Sequence, residues 1–176
     1  MQSHPGAVIL PYKGILPTIH PDAFIAPGAV VIGDVHIGAE SNIWFGCVIR
    51  GDVNIIRIGT RTNIQDGTVV HVTRKTGPTI IGSGITIGHQ ALLHACTLED
   101  GCFIGMGATV MDFAVVESGA FVGAGALVTP KKRIPAGETW AGNPAKLFRA
   151  VSEAEAAFIP VSAQNYVDLA REYKGL

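Results

Sequence analysis

Aliphatic residues recur along this chain with a period of six. Ile19, Ile25, Val31, Ile37, Ile43, Ile49 and Ile55 fall in one register, and Ile58, Ile64 and Val70 in a second. Ile81, Ile87 and Leu93 form a third, and a fourth runs through Leu98, Ile104, Val110, Val116, Val122, Val128, Ile134 and Trp140. Glycine often follows the aliphatic position, as at Gly38, Gly59, Gly82, Gly88, Gly105 and Gly123. An amphipathic helix repeats its apolar positions every three or four residues and a half-buried strand every two, so neither explains a step of six. Six residues make one short strand and a turn, and three such sides close a triangular coil. Each inward aliphatic residue then stacks on its counterpart in the next coil, about 4.8 Å away. The pattern predicts an all-β solenoid of about seven coils between Ile19 and Lys146.

The period breaks in two ways. From Val70 to Ile81 the step is longer by a five-residue insertion, expected as a corner loop around Thr73 to Pro78. The shorter steps Ile55 to Ile58 and Leu93 to Leu98 read as register slips absorbed by bulges. After residue 150 the period stops. Ser152-Glu153-Ala154-Glu155 is a capping box opening a helix, and Pro160 is expected to end or kink it. A second helix is expected from Ser162, with Ala163, Tyr166, Val167, Ala170 and Tyr173 on one face. The predicted organisation is a β-helix over 1–150 with an N-terminal lead-in, and a C-terminal helical segment over 151–176 packed along the prism. Because a stack of strands leaves open ends, the tail also suits a capping role.

Composition narrows the functional classes. Only 15% of residues are charged, 48% are apolar and there are 22 glycines, a content that suits many tight turns. A net charge of −1 gives no reason to expect nucleic acid or an anionic membrane as partner. The basic run Lys131-Lys132-Arg133 lies between Pro130 and Pro135 and reads as a solvated loop. Met1 to Gly14 has no signal-peptide pattern, and no apolar run approaches the ~18 residues of a membrane span. Cys47, Cys96 and Cys102 lack CxxC spacing and an even count, which fits free thiols in a reducing cytosol. The expected location is therefore cytoplasmic.

Candidate chemistry centres on histidine. His4, His20 and His36 read as surface residues, but coil geometry relates His71, His89 and His94. His71 follows the inward Val70 and His94 the inward Leu93. With the corner loop counted as an insertion, Val70, Ile81, Ile87 and Leu93 span one full coil. His94 should then lie directly above His71 on one outer face, close enough for two imidazoles to share a metal. His89 lies around a corner on the preceding face. In a threefold homotrimer, the partner's preceding face can turn toward this one, so His89 of the partner subunit would complete a three-histidine site. Three histidines with an open fourth position form the catalytic zinc arrangement. A chance surface histidine explains any one of them alone; their joint placement favours the metal site. Nearby stand Arg50-Gly51-Asp52 and Asn63-Ile64-Gln65-Asp66, unusual on a β-helix wall. Arginine and aspartate here could fix trimer register, orient the histidines from behind, or do both.

These segments, with Val31-Ile32-Gly33-Asp34-Val35, Thr86-Ile87-Gly88-His89, Leu93-His94, Ile104-Gly105-Met106-Gly107 and Asn165-Tyr166-Val167, resemble the gamma-class carbonic anhydrase family in order and spacing. The resemblance covers nearly the whole chain. It implies a left-handed parallel β-helix of hexapeptide repeats with a C-terminal α-helix. It further implies zinc or ferrous iron bound by His71 and His94 of one subunit and His89 of its neighbour. Gln65 would hydrogen-bond a metal-bound hydroxide, Arg50 and Asp66 would pair across the interface, Asp52 would support the network, and Tyr166 would approach the site. The implied reaction is hydration of CO2 to bicarbonate and a proton. The chain departs from the best-characterised members at Val53, where they carry a glutamate. Its loop after His71 is short and basic, with Arg74 and Lys75, where theirs supplies a proton-shuttle glutamate. Slow turnover is the expected consequence. Acyl transfer or thioester hydrolysis on coenzyme A is the alternative enzyme class, since Gly142-Asn143-Pro144-Ala145-Lys146 resembles a motif of hexapeptide acyltransferases. A non-catalytic metal-bearing scaffold is the third reading.

Overall fold

The six-residue period folds into two- and three-residue strands separated by tight corners. The structure, a computed structural model, describes residues 4–175. Phe103–Ile104, Thr109–Val110, Val115–Val116 and Phe121–Val122 follow one another around the axis. Each pairs in parallel with a strand one coil further on: Ile104 opposite Val122, Val110 opposite Val128, and Val116 opposite Ile134. The inward residues of this run are fully buried. The result is a left-handed parallel β-helix of about seven turns with one C-terminal helix. Its walls form an eight-stranded and a twelve-stranded sheet. In the larger, the long strands Val30–Ile37 and Val48–Ile58 continue around a corner and join two faces.

Those long strands correct the expected register at Ile55. It is half-buried, while Ile56 is fully buried opposite Val35. An uninterrupted strand alternates its side chains by two, and the pairing shifts between Gly33 and Val35. The slip after Leu93 is a short corner at Ala95, whose φ is 49°; pairing resumes with Leu98 opposite Ile81. The insertion after His71 is a small turn closed by reciprocal bonds between Thr73 and Gly77, with N···O distances of 2.8 and 3.2 Å. His4 is half-buried, whereas His20 and His36 are exposed.

The tail is one continuous helix, Glu153–Lys174, with Pro160 inside it. The helix does not end at Pro160, and no separate second helix occurs. Proline removes one backbone donor, but Ile159, Ser162, Ala163, Val167 and Ala170 are buried against the wall on both sides of it, and that burial keeps the helix whole. The helix lies along the eight-stranded face, over Phe24–Ile25, Asn42–Ile43, Asn63–Ile64 and Thr86–Ile87. Trp44 anchors it, with the rings of Tyr166 and Tyr173 each 5.4 Å away. Glu40 adds an ionic clasp, receiving Arg61 from the wall and Arg171 from the helix. The end of the stack is closed by a strand the period did not predict: Lys146–Ala150 pairs antiparallel with Glu138–Ala141.

Two consequences can be measured. A Cβ at Gly105 would lie 2.5 Å from the Ala124 nitrogen and 2.7 Å from the Gly123 carbonyl carbon. Those are backbone atoms that cannot swing aside, so Gly105→Ala should cost about 2–3 kcal/mol in chemical denaturation, against about 1–2 kcal/mol for Gly107→Ala, which meets open space but has φ +66°. Glu155 accepts from Arg149, and also from the Ser152 backbone and hydroxyl, and these bonds hold its carboxyl down to about 2 from 4.5. A depressed acid stabilises the fold above its unfolded value and loses that contribution as pH falls through the folded one. The thermal-stability gap between wild type and Glu155→Gln should be full near neutrality and close between pH 4.5 and about 2.

Candidate metal centre

The coil ladder brings two of the three histidines together. Strand Leu92–His94 lies on Val69–His71, with Leu93 opposite Val70 and His94 opposite His71. Since Val70 and Leu93 point inward, the histidines point outward on adjacent rungs, their rings tilted by 52° and His71 Nδ1 standing 3.3 Å from His94 Nε2. The outer nitrogen of each ring meets a carboxylate: His71 Nε2 lies 3.0 Å from Asp52 Oδ1, and His94 Nδ1 lies 3.0 Å from Asp112 Oδ2. Val69 and Leu92 flank the pair as exposed apolar residues.

This geometry fixes the available lone pairs. An ionised carboxylate only accepts, so each outer ring nitrogen facing one must carry the hydrogen. Burial raises the Asp52 carboxyl, but hydrogen bonds from His71 and Arg50 outweigh it and hold the group below its usual range. Asp112 behaves alike, with burial overcome by bonds from Thr73 and His94. In the neutral rings the two inner nitrogens are then both acceptors and face each other, an unfavourable pairing that a cation relieves. A tetrahedral zinc with bonds of about 2.0–2.1 Å spans roughly 3.3–3.4 Å between two ligand nitrogens, which matches the spacing of this pair. The donor set therefore fits the expected metal.

His89 lies elsewhere on the same chain, its Nδ1 2.8 Å from Asp66 Oδ2. Among the described residues, no group of three or more histidine, cysteine, aspartate or glutamate side chains within the chain could hold a metal. Arg50 pairs with Asp52, and Asp66 pairs with His89, within the single chain. His89 opens onto a groove of about 420 Å³ between the helix and the eight-stranded face, lined also by Gln65, Tyr166, Phe103, Met106 and Phe121. Gln65 is buried and donates its amide nitrogen to Asn63 Oδ1 at 3.0 Å, leaving its carbonyl oxygen for a ligand. Asn63 continues through Thr86 to Ser162 of the helix, so the docked helix supports Gln65. The Tyr166 hydroxyl is pushed up by burial and by the nearby Asp66 charge.

Asp112 and Thr73 escaped the sequence reading. The available signal was coil arithmetic corrected for the slip after Leu93: Leu93 pairs with Val110, so the rung of His94 falls at Met111 and Asp112 lies one residue beyond it. The three thiols are buried and free. Burial pushes Cys47 up to about 11 and Cys96 to about 12.

Comparison with known proteins agrees with this architecture. The family model described as bacterial transferase hexapeptide (six repeats) matches residues 16–51 and 95–130. Gamma carbonic anhydrase 1, mitochondrial, of Arabidopsis thaliana is 55% identical over 89% of this chain. The match spans 59% of that protein, so this chain is well short of the plant relative's full length. A carbonic anhydrase of Geobacillus kaustophilus is 43% identical, the match covering 96% of this chain and 92% of that one. The crystal structure of a hexapeptide transferase family protein from Anaplasma phagocytophilum superposes with a TM-score of 0.91 at 50% identity, covering 94% of this chain and 98% of the other. The chain belongs to the gamma-class carbonic anhydrase family.

Proposed function

We propose that this chain catalyses reversible hydration of CO2 to bicarbonate and a proton, at a metal shared between the subunits of a homotrimer. The observation that carries the reading is the facing pair of imidazole nitrogens, 3.3 Å apart, with a carboxylate behind each ring. One chain supplies two ligands at this point, and His89, set by Asp66 on another face, is the residue a partner subunit would add. Exposed Val69 and Leu92 beside the histidines give such a partner an apolar surface to cover. Zinc, or ferrous iron in its place, would supply an acidified water ligand near neutral pH.

The chain's own residues carry the rest of the proposed mechanism. Asp52 and Asp112 hold the ring hydrogens of His71 and His94 away from the centre. Arg50 is assigned to the register of the interface, meeting Asp66 of the partner subunit in the trimer. The Gln65 carbonyl would orient the nucleophilic water, and Tyr166 with the apolar groove wall would receive uncharged CO2. Proton export is the weak step, since Val53 is half-buried against the core and the adjoining turn carries Arg74 and Lys75. Three buried free thiols support the assignment to a reducing cytoplasm. No helix among the described residues is long and apolar enough to cross a membrane. One observation favours a second substrate class: Phe103 and Phe121 stack 4.4 Å apart in the groove beside His89, a surface suited to the acyl chain of a thioester.

The test is stopped-flow CO2 hydration by protein loaded with zinc, or anaerobically with iron, beside a His94→Ala control. Metal-dependent hydration lost in the control is expected; no hydration by fully metallated protein would overturn the reading, and acyl-CoA hydrolysis by the same sample would replace it. His89→Ala and His94→Ala, each inactive alone, should regain metal binding when mixed after subunit exchange. Absence of recovery after proven exchange would exclude a shared site.

A further inference from the structure

The Asp112 carboxylate has two donors from different parts of the fold. His94 Nδ1 reaches Oδ2 at 3.0 Å, and the Thr73 hydroxyl reaches Oδ1 at 2.5 Å. Thr73 is itself immobilised, because its backbone closes the turn with Gly77 and its carbonyl accepts from Asn54 Nδ2 at 3.1 Å on the long strand. The backbone of Asp112 is fixed as well, its carbonyl receiving Lys131 N at 2.8 Å from the coil beyond. A carboxylate tethered at both ends meets a ring that has another hydrogen-bonding option. Without Asp112, His94 could carry its hydrogen on Nε2 and donate it to His71 Nδ1, already 3.3 Å away. The two histidines would then satisfy each other and close the space between them.

We propose that Asp112 is a positioning residue that holds His94 in the Nδ1–H form, keeping Nε2 bare toward His71, and that Thr73 locks Asp112 in place from the corner turn. The effect on metal binding rests on the metal-site reading above; the effect on the ring hydrogen does not. Through this contact the Thr73–Gly77 turn, which lies outside the repeat, bears on a ligand one coil away. Asp52 does the matching work for His71, but with Arg50 as its second donor.

The test has one arm without metal. In metal-free protein held near pH 8.5, where an ordinary imidazole is neutral, nitrogen NMR of the rings reads which nitrogen of His94 carries hydrogen. Wild type should show Nδ1–H, Asp112→Ala should move the hydrogen to Nε2, and Asp112→Asn, which keeps a carbonyl acceptor, should restore part of the wild-type signal. The second arm is zinc affinity by chelator competition: Asp112→Ala should weaken binding about 10–100-fold, the size typical of a lost outer partner, with a smaller loss for Thr73→Val. Should Asp112→Ala fail to fold, Asp112→Asn and Thr73→Val carry both arms. An unchanged His94 tautomer in these variants would overturn the proposal, as would a zinc affinity in the variants equal to that of a wild type that binds zinc. If wild type binds no zinc, the function proposed above fails, while the tautomer arm still decides the role of Asp112.

Discussion

The parallel backbone ladder from one coil to the next is the constraint on which the rest of this molecule depends. Each strand of two or three residues is too short to persist alone, and it gains order only by pairing with strands above and below. The pairing sets the inward stack, and it sets everything on the outside too, because an outward side chain inherits the register of its inward neighbour. His94 sits over His71 because Leu93 sits over Val70. The core and the chemistry are two sides of the same strands, so damage to one register must be felt in both.

This explains which features were legible in the sequence. Where strands are short and corners regular, the period of six gave the inward residues directly, and the histidines on adjacent rungs followed from counting. The reading failed where a different physical rule took over. Around Ile56, a long strand turns a corner without a break, and alternation by two replaces the step of six. At Pro160, the local rule for helix interiors lost to the burial of Ile159 and Ala163 against the wall. Asp112 was not legible because the coil after His94 is one residue short: Leu93 pairs with Val110, so Asp112 falls one place past the rung of His94, where simple counting does not put it.

The helix connects these levels differently. It belongs to no repeat, yet Ser162 contributes the far end of a buried polar chain, through Thr86 and Asn63, that ends on Gln65. Arg61 and Arg171 meeting at Glu40, with the aromatic cluster on Trp44, fix where that chain starts. The wall alone satisfies Asn63, through Ile85, Thr86 and Gln65, but would leave the Thr86 hydroxyl without its partner on Ser162. The packed helix turns a row of polar residues on a β-face into a supported arm.

The turn at Thr73–Gly77 has an evolutionary consequence. It leaves the wall after His71 and returns so that Thr79–Ile81 pairs with the coil beneath in regular register. Residues can therefore be added or removed at its tip without shifting any rung. Most of the solenoid lacks that freedom, because one extra residue within a strand would turn the side chains after it to the wrong face unless a bulge absorbed it, as the shift between Gly33 and Val35 does. A lineage can rewrite this excursion, its charge and its length next to the candidate centre, while the walls that carry the histidines stay unchanged.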